Sequence, residues 1–151
     1  MKAWVMAAAI AAGLGTAGAA LAQGNPVTVR REGMREMGRH LEAIQGILQA
    51  RGDQAQIAER ADRIIAFYGN LNAIYPAPTL TPPVPEGRGD GQTRALAAIE
   101  PNRAAFTAFA NDMVRQLTAM KASAASGGVT PDMLRSAGQV CSNCHNQFRA
   151  R

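Results

Sequence analysis

Apolar side chains recur at steps of three and four along four stretches of this 151-residue chain, and no stretch alternates as a strand would. The first stripe is Met34, Met37, Leu41, Ile44 and Leu48. It follows Asn25-Pro26, a capping residue with proline at the first helical position, and should end near Arg51-Gly52. A second stripe starts about Asp53 and runs Ile57, Ala61, Ile64, Tyr68 and Leu71. The third follows Pro101 as Phe106, Phe109, Met113, Leu117 and Met120, then fades into Ser126-Gly127-Gly128. Thr130-Pro131-Asp132 opens the fourth, with Leu134, Ala137, Cys141, Cys144 and Phe148 on its apolar face.

Between the second and third stripes the composition changes. Tyr75 to Gly91 holds five of the chain's eight prolines and three glycines, so it cannot continue a helix. Two helical hairpins joined by a long crossover are what a bundle needs. The expected fold is therefore all-α, an antiparallel four-helix bundle with a Pro/Gly-rich crossover loop between helices two and three. The glycine-rich end, Glu86 to Gly91, follows no strand, so it has no context for cradling phosphate.

The first residues read as a targeting segment. Met1-Lys2 is a short positive start, Trp4 to Leu21 is almost wholly apolar, and Ala20-Leu21-Ala22 precedes Gln23 as an A-x-A-type cleavage site. We expect residues 1–22 to be a cleaved signal peptide and residues 23–151 to be a single domain in the periplasm. No later segment is apolar enough to span a bilayer. The formal charge of +5 is spread along the chain and carried mostly by arginine. With few aromatics and no basic run, nucleic-acid binding has no support; a mild attraction to anionic partner surfaces is all the charge suggests.

The two cysteines are three residues apart, in Cys141-Ser142-Asn143-Cys144-His145. A disulfide closing so small a loop would add little stability. A thioredoxin-like redox pair would need a βαβ context, and zinc would need further ligands where His40 is the only other histidine. C-x-x-C-H is the pattern of c-type haem attachment. Two thiols emerging together can add to the two vinyl groups on one porphyrin edge, and the next residue then offers a neutral imidazole to the iron.

The stretch Val140 to Arg149 resembles the terminal haem-binding helix of the cytochrome c′ family, the class II c-type cytochromes, and Arg30 to His40 resembles that family's first helix. The resemblance spans essentially residues 23–151. It implies one covalent haem c attached through Cys141 and Cys144, with iron on His145. Met34 falls at the family's distal position, and Gly33 to Arg39 is closer to its low-spin, Met-ligated branch. Arg30 matches the position that contacts a haem propionate, one turn before Met34. Members often dimerise through their first two helices, which allows a homodimer here. One departure is that Ala97-Ala98-Ile99-Glu100 stands where members often carry a tryptophan.

Other residues have blander readings. Met37, one turn after Met34, is a weaker candidate ligand, and Met113 and Met120 read as core. His40 falls off the stripe and reads as solvated. Arg31, Arg35 and Arg39 form a row that reads as a solvated face. Arg149 shares the face of His145, and Phe148 should pack near the porphyrin.

The leading expectation is a one-electron carrier, not an enzyme, with iron held by His145 and Met34 and with redox proteins as partners. The alternative is an open, five-coordinate iron that binds nitric oxide or carbon monoxide. A thiol oxidoreductase is the remote third.

Overall fold

The computed structural model describes residues 25–80 and 92–150. The expected signal peptide, the later part of the crossover and its glycine-rich end lie outside these residues. Four long helices are present: α1 (Pro26–Gln49), α2 (Ala55–Gly69), α3 (Arg103–Ala124) and α4 (Pro131–Phe148). Among the described residues no strand forms; the sole β feature is an isolated bridge between Ala95 and Arg149. No described helix is long and apolar enough to cross a membrane.

Local chemistry sets the helix ends. The Asn25 side chain accepts from the Val27 N–H at 2.9 Å ahead of Pro26. Thr130 does the same for Met133 at 3.4 Å ahead of Pro131. At the end of α3, Gly127 takes φ +69°, and the Gly128 N–H bonds back to the Ser123 carbonyl at 2.9 Å. A residue without a Cβ adopts that left-handed turn at no steric cost. α1 ends less comfortably, with Arg51 at φ 50°.

α2 packs chiefly on α3, and α1 meets α4 only thinly. The buried residues fall into two clusters. The first holds Ile44, Ile57, Ile64, Leu117 and Met120, all with no exposed surface. The second gathers Leu71, Tyr75, Leu80, Ile99, Phe106, Ala110 and Phe148. α1 comes so close to α2 that a Cβ on Gly33 would overlap the Phe67 ring.

Several expectations need adjusting. Leu71 is not the last residue of α2 but the first of a 3-10 turn, Leu71–Ile74, and the crossover begins with another, Ala77–Thr79. Ile99, in the turn Ala97–Ile99, is 1% exposed and fills the corner where the resemblance led us to look for tryptophan. His40 is largely shielded: its side chain is 18% exposed beside Gln56, Glu59, Arg60 and Arg63 of α2, and its Nε2 sits 3.6 Å from Glu36 Oε1. Coming back from the crossover, the chain ties down the end of α4 through Leu96 N–H to the Phe148 carbonyl (2.9 Å) and Ala150 N–H to the Arg94 carbonyl (2.8 Å).

Candidate functional site

A cavity of about 300 Å³ is lined by residues of all four helices, and it collects most of the residues the sequence singled out. α4 contributes Cys141, Cys144, His145 and Phe148, while α1 contributes Arg30 and Met34. Helical spacing puts the two cysteines on one face, both half-buried, with His145 exposed at the rim. Met113 and Arg149 also line it. Met37, Met120 and His40 do not; Met37 and Met120 belong to the closed cluster.

Both cysteines are free thiols. Burial pushes Cys144 up to about 11, with Cys141 beside it adding to the shift, and burial likewise raises Cys141. Reactive redox thiols sit in surroundings that favour thiolate, so this pair is ill suited to thiol chemistry. Partial burial, and then the Arg149 charge, lower the pKa of His145 and favour the neutral imidazole that binds metals. Among the described residues no group of three or more His, Cys, Asp or Glu comes together to hold a metal ion.

The charge pattern is one-sided. Arg30, Arg31, Arg35, Arg94 and Arg149 line the cavity, and no carboxylate does among the described residues. Arg30 is only 2% exposed. Its guanidinium donates to the Thr79 hydroxyl at 2.7 Å and the Thr79 carbonyl at 2.9 Å, and it lies 4.9 Å from the centre of the Tyr75 ring. These partners are neutral, and a buried cation without an anion is costly. The wall therefore suits a group that brings carboxylates of its own. With two thiols and a neutral imidazole on α4 and a thioether on α1, the residues fit a haem with propionates.

Sequence reasoning missed part of this wall. Tyr68 was only a stripe residue, yet its hydroxyl donates to Met34 Sδ at 3.8 Å, with the Cys141 sulfur near enough to add to the rise in its pKa. Burial raises its pKa well above the ordinary tyrosine value, so it stays protonated as a donor. A polar tip at an apolar stripe position was the available signal. Tyr75, Thr79 and Arg94 carried none. Arg31 and Arg35, from the row read as a solvated face, also line the cavity, and Arg35 is exposed there.

The family model for cytochrome c′ matches residues 25–149. The chain belongs to the cytochrome c′ family. Its members bind one covalent haem c with iron, and the family is in general periplasmic. Solved structures share the fold. Cytochrome c′ from Thermochromatium tepidum superposes with a TM-score of 0.67 at 22% identity, over 83% of this chain and 95% of its own. A cytochrome c′ with a ligand-controlled dimer dissociation gives 0.68 at 22%, over 83% and 95%. A nitric oxide complex of a cytochrome c prime variant from Alcaligenes xylosoxidans gives 0.61 at 20%, over 83% and 94%. No curated protein matches this chain. The expected placement in the low-spin, Met-ligated branch finds no support among these neighbours, which are cytochromes c′.

Proposed function

We propose that this chain is a haem protein whose iron binds a diatomic gas, nitric oxide or carbon monoxide, on the side facing Met34. The carrying observation is the state of Met34. Its sulfur accepts the Tyr68 hydroxyl at 3.8 Å inside a largely apolar cavity, a bond that would compete with coordination to iron and so supports an open distal side. A structural neighbour was solved as a nitric oxide complex, which supports the same reading.

Each residue has a task in this reading. Cys141 and Cys144 hold the haem covalently, and His145 offers its neutral imidazole as the proximal ligand. Arg30, fixed by Thr79 and Tyr75, presents a guanidinium to a propionate. Phe106, Phe109 and Phe148 form apolar walls that keep water out. The bound haem supplies the iron at which a gas or an electron is held. In this reading the protein works by binding rather than catalysis. Residues 1–22 direct export in the same reading, leaving Gln23 as the first residue of the purified chain. A homodimer through α1 and α2 belongs to it as well.

Electron carriage is the second reading. It is favoured by a soft sulfur on the wall opposite α4 and by the arginine rim, which suits an acidic redox partner. The optical spectrum of the haem-loaded protein separates the two. A five-coordinate, high-spin spectrum that shifts on adding carbon monoxide is expected. A six-coordinate, low-spin spectrum indifferent to carbon monoxide would transfer the assignment to electron carriage.

A further inference from the structure

Tyr68 enters the reading above only as the partner of Met34, yet it is placed to do more. It comes from α2 and packs against both buried clusters, with Phe67 edge-on at 5.5 Å between ring centres. Its hydroxyl is thereby aimed at the Met34 sulfur, 3.8 Å away. A thioether is a weak acceptor, and an O–H donated to it occupies electron density that a metal would otherwise use. The ring has little room to swing, because α1 and α2 are in close contact at Gly33 and Phe67.

We propose that Tyr68 is a positioning residue that holds the Met34 thioether away from the iron by donating its hydroxyl to the sulfur, and so keeps the distal side open to gas. This rests on the gas-binding reading. Coordination by Met34 is a competition between the Tyr68 O–H and the iron. The variant Tyr68→Phe removes one competitor while keeping the ring and its contact with Phe67. A hydrogen bond of ordinary net strength corresponds to about a fivefold change in such an equilibrium.

The test uses the haem-loaded full chain as wild type, Tyr68→Phe, Met34→Leu and the double variant. Spin and coordination state are read by resonance Raman, and carbon monoxide affinity by titration. We expect a five-coordinate wild type. In Tyr68→Phe the ratio of six- to five-coordinate haem should rise about fivefold, with carbon monoxide affinity falling in proportion to the five-coordinate fraction lost. In the Met34→Leu background the Tyr68 change should have neither effect, because no sulfur remains to be released. A merely structural role would not produce that non-additivity. The proposal is overturned if Tyr68→Phe matches wild type in both readouts. It is equally overturned if the loss of affinity persists in the Met34→Leu background, which would place Tyr68 on the gas itself. A wild type that is already six-coordinate and low-spin overturns the gas-binding reading and this proposal with it, and the wild-type spectrum alone reveals that.

Discussion

At one end of the bundle Ile44, Ile57, Ile64, Leu117 and Met120 meet with no exposed surface at all. At the other, Phe106 and Phe148 stand edge-on at 5.4 Å and Tyr75 tilts against Phe106 at 4.9 Å, beside a cavity of about 300 Å³. Branched and flexible aliphatic side chains interdigitate, and a core made of them closes to crystal-like density. Rigid rings meeting edge-on or tilted are as well buried, and they present flat apolar walls to the cavity beside them. The open end also contains the buried Arg30, whose partners are neutral. The contrast predicts that protection of the closed end depends little on haem, whereas the open end is completed by the group it holds.

The sharpest way to break that contrast is to prevent attachment. Cys141→Ser with Cys144→Ser should abolish covalent haem, read by intact mass and by haem staining of a denaturing gel. Hydrogen exchange should then rise by roughly a hundredfold around Arg30, Met34 and the last turns of α4, following the loss of a tightly held group. Around Ile57, Ile64 and Leu117 it should stay within about threefold of wild type. Equal deprotection of both ends would show one cooperative core and end the distinction.

Gly33 probes the seam between the ends, since Phe67 packs against both clusters. In Gly33→Ala the new methyl overlaps the Phe67 ring, so either the ring or α1 must shift. Overpacking of that kind costs about 1–3 kcal/mol, against about 1 kcal/mol gained from helix propensity. A Cβ on Gly38, five residues further along α1 and on another face, meets nothing within 4 Å. Thermal melts should therefore show Gly33→Ala destabilised and Gly38→Ala stabilised. A stabilised Gly33→Ala would mean that Phe67 moves aside freely.

The two ends also differ in how far the sequence revealed them. For the closed end, the 3.6-residue period named nearly every buried side chain, because aliphatic packing is set by which face a residue occupies. The caps at Asn25-Pro26 and Thr130-Pro131 were equally legible, since they depend on neighbours in the chain. For the open end, local pattern and the family resemblance named Cys141, Cys144, His145, Met34, Arg30, Phe148 and Arg149, which line one cavity, but not how Tyr68, Tyr75 and Thr79 hold them. Arg30 meets Thr79 across 49 residues, and Tyr68 meets Met34 across 34. His40 is off the stripe of α1, yet residues of α2 lie beside it, which a single helix cannot disclose. The expectation that Met34 ligates the iron met the same limit: a methionine at helical spacing reads alike whether it packs, accepts a hydrogen bond or binds metal.

The smallest effect concerns titration, and it again falls on the open end. The closed cluster's buried members carry no titratable group, whereas Tyr75 is buried beneath the Arg30 guanidinium. Burial pushes the Tyr75 hydroxyl up to about 12, with the positive charge of Arg30 partly opposing the shift. An unfolded tyrosine ionises near 10. The folded state thus favours the neutral phenol, and its contribution is complete below about pH 10. As pH rises from 10 towards 12 the unfolded chain releases its proton first, and stability falls. Tyr75→Phe cannot ionise, so it should match wild type closely at pH 7 and exceed it by about 1 kcal/mol at pH 11. Burial raises Tyr68 too, but it titrates in both proteins and cancels from the difference. Urea melts of the haem-loaded pair at the two pH values check this. If the variant gains nothing at pH 11, the phenol is less enclosed than its 8% exposure indicates. The open end would then yield to alkali no sooner than the closed one.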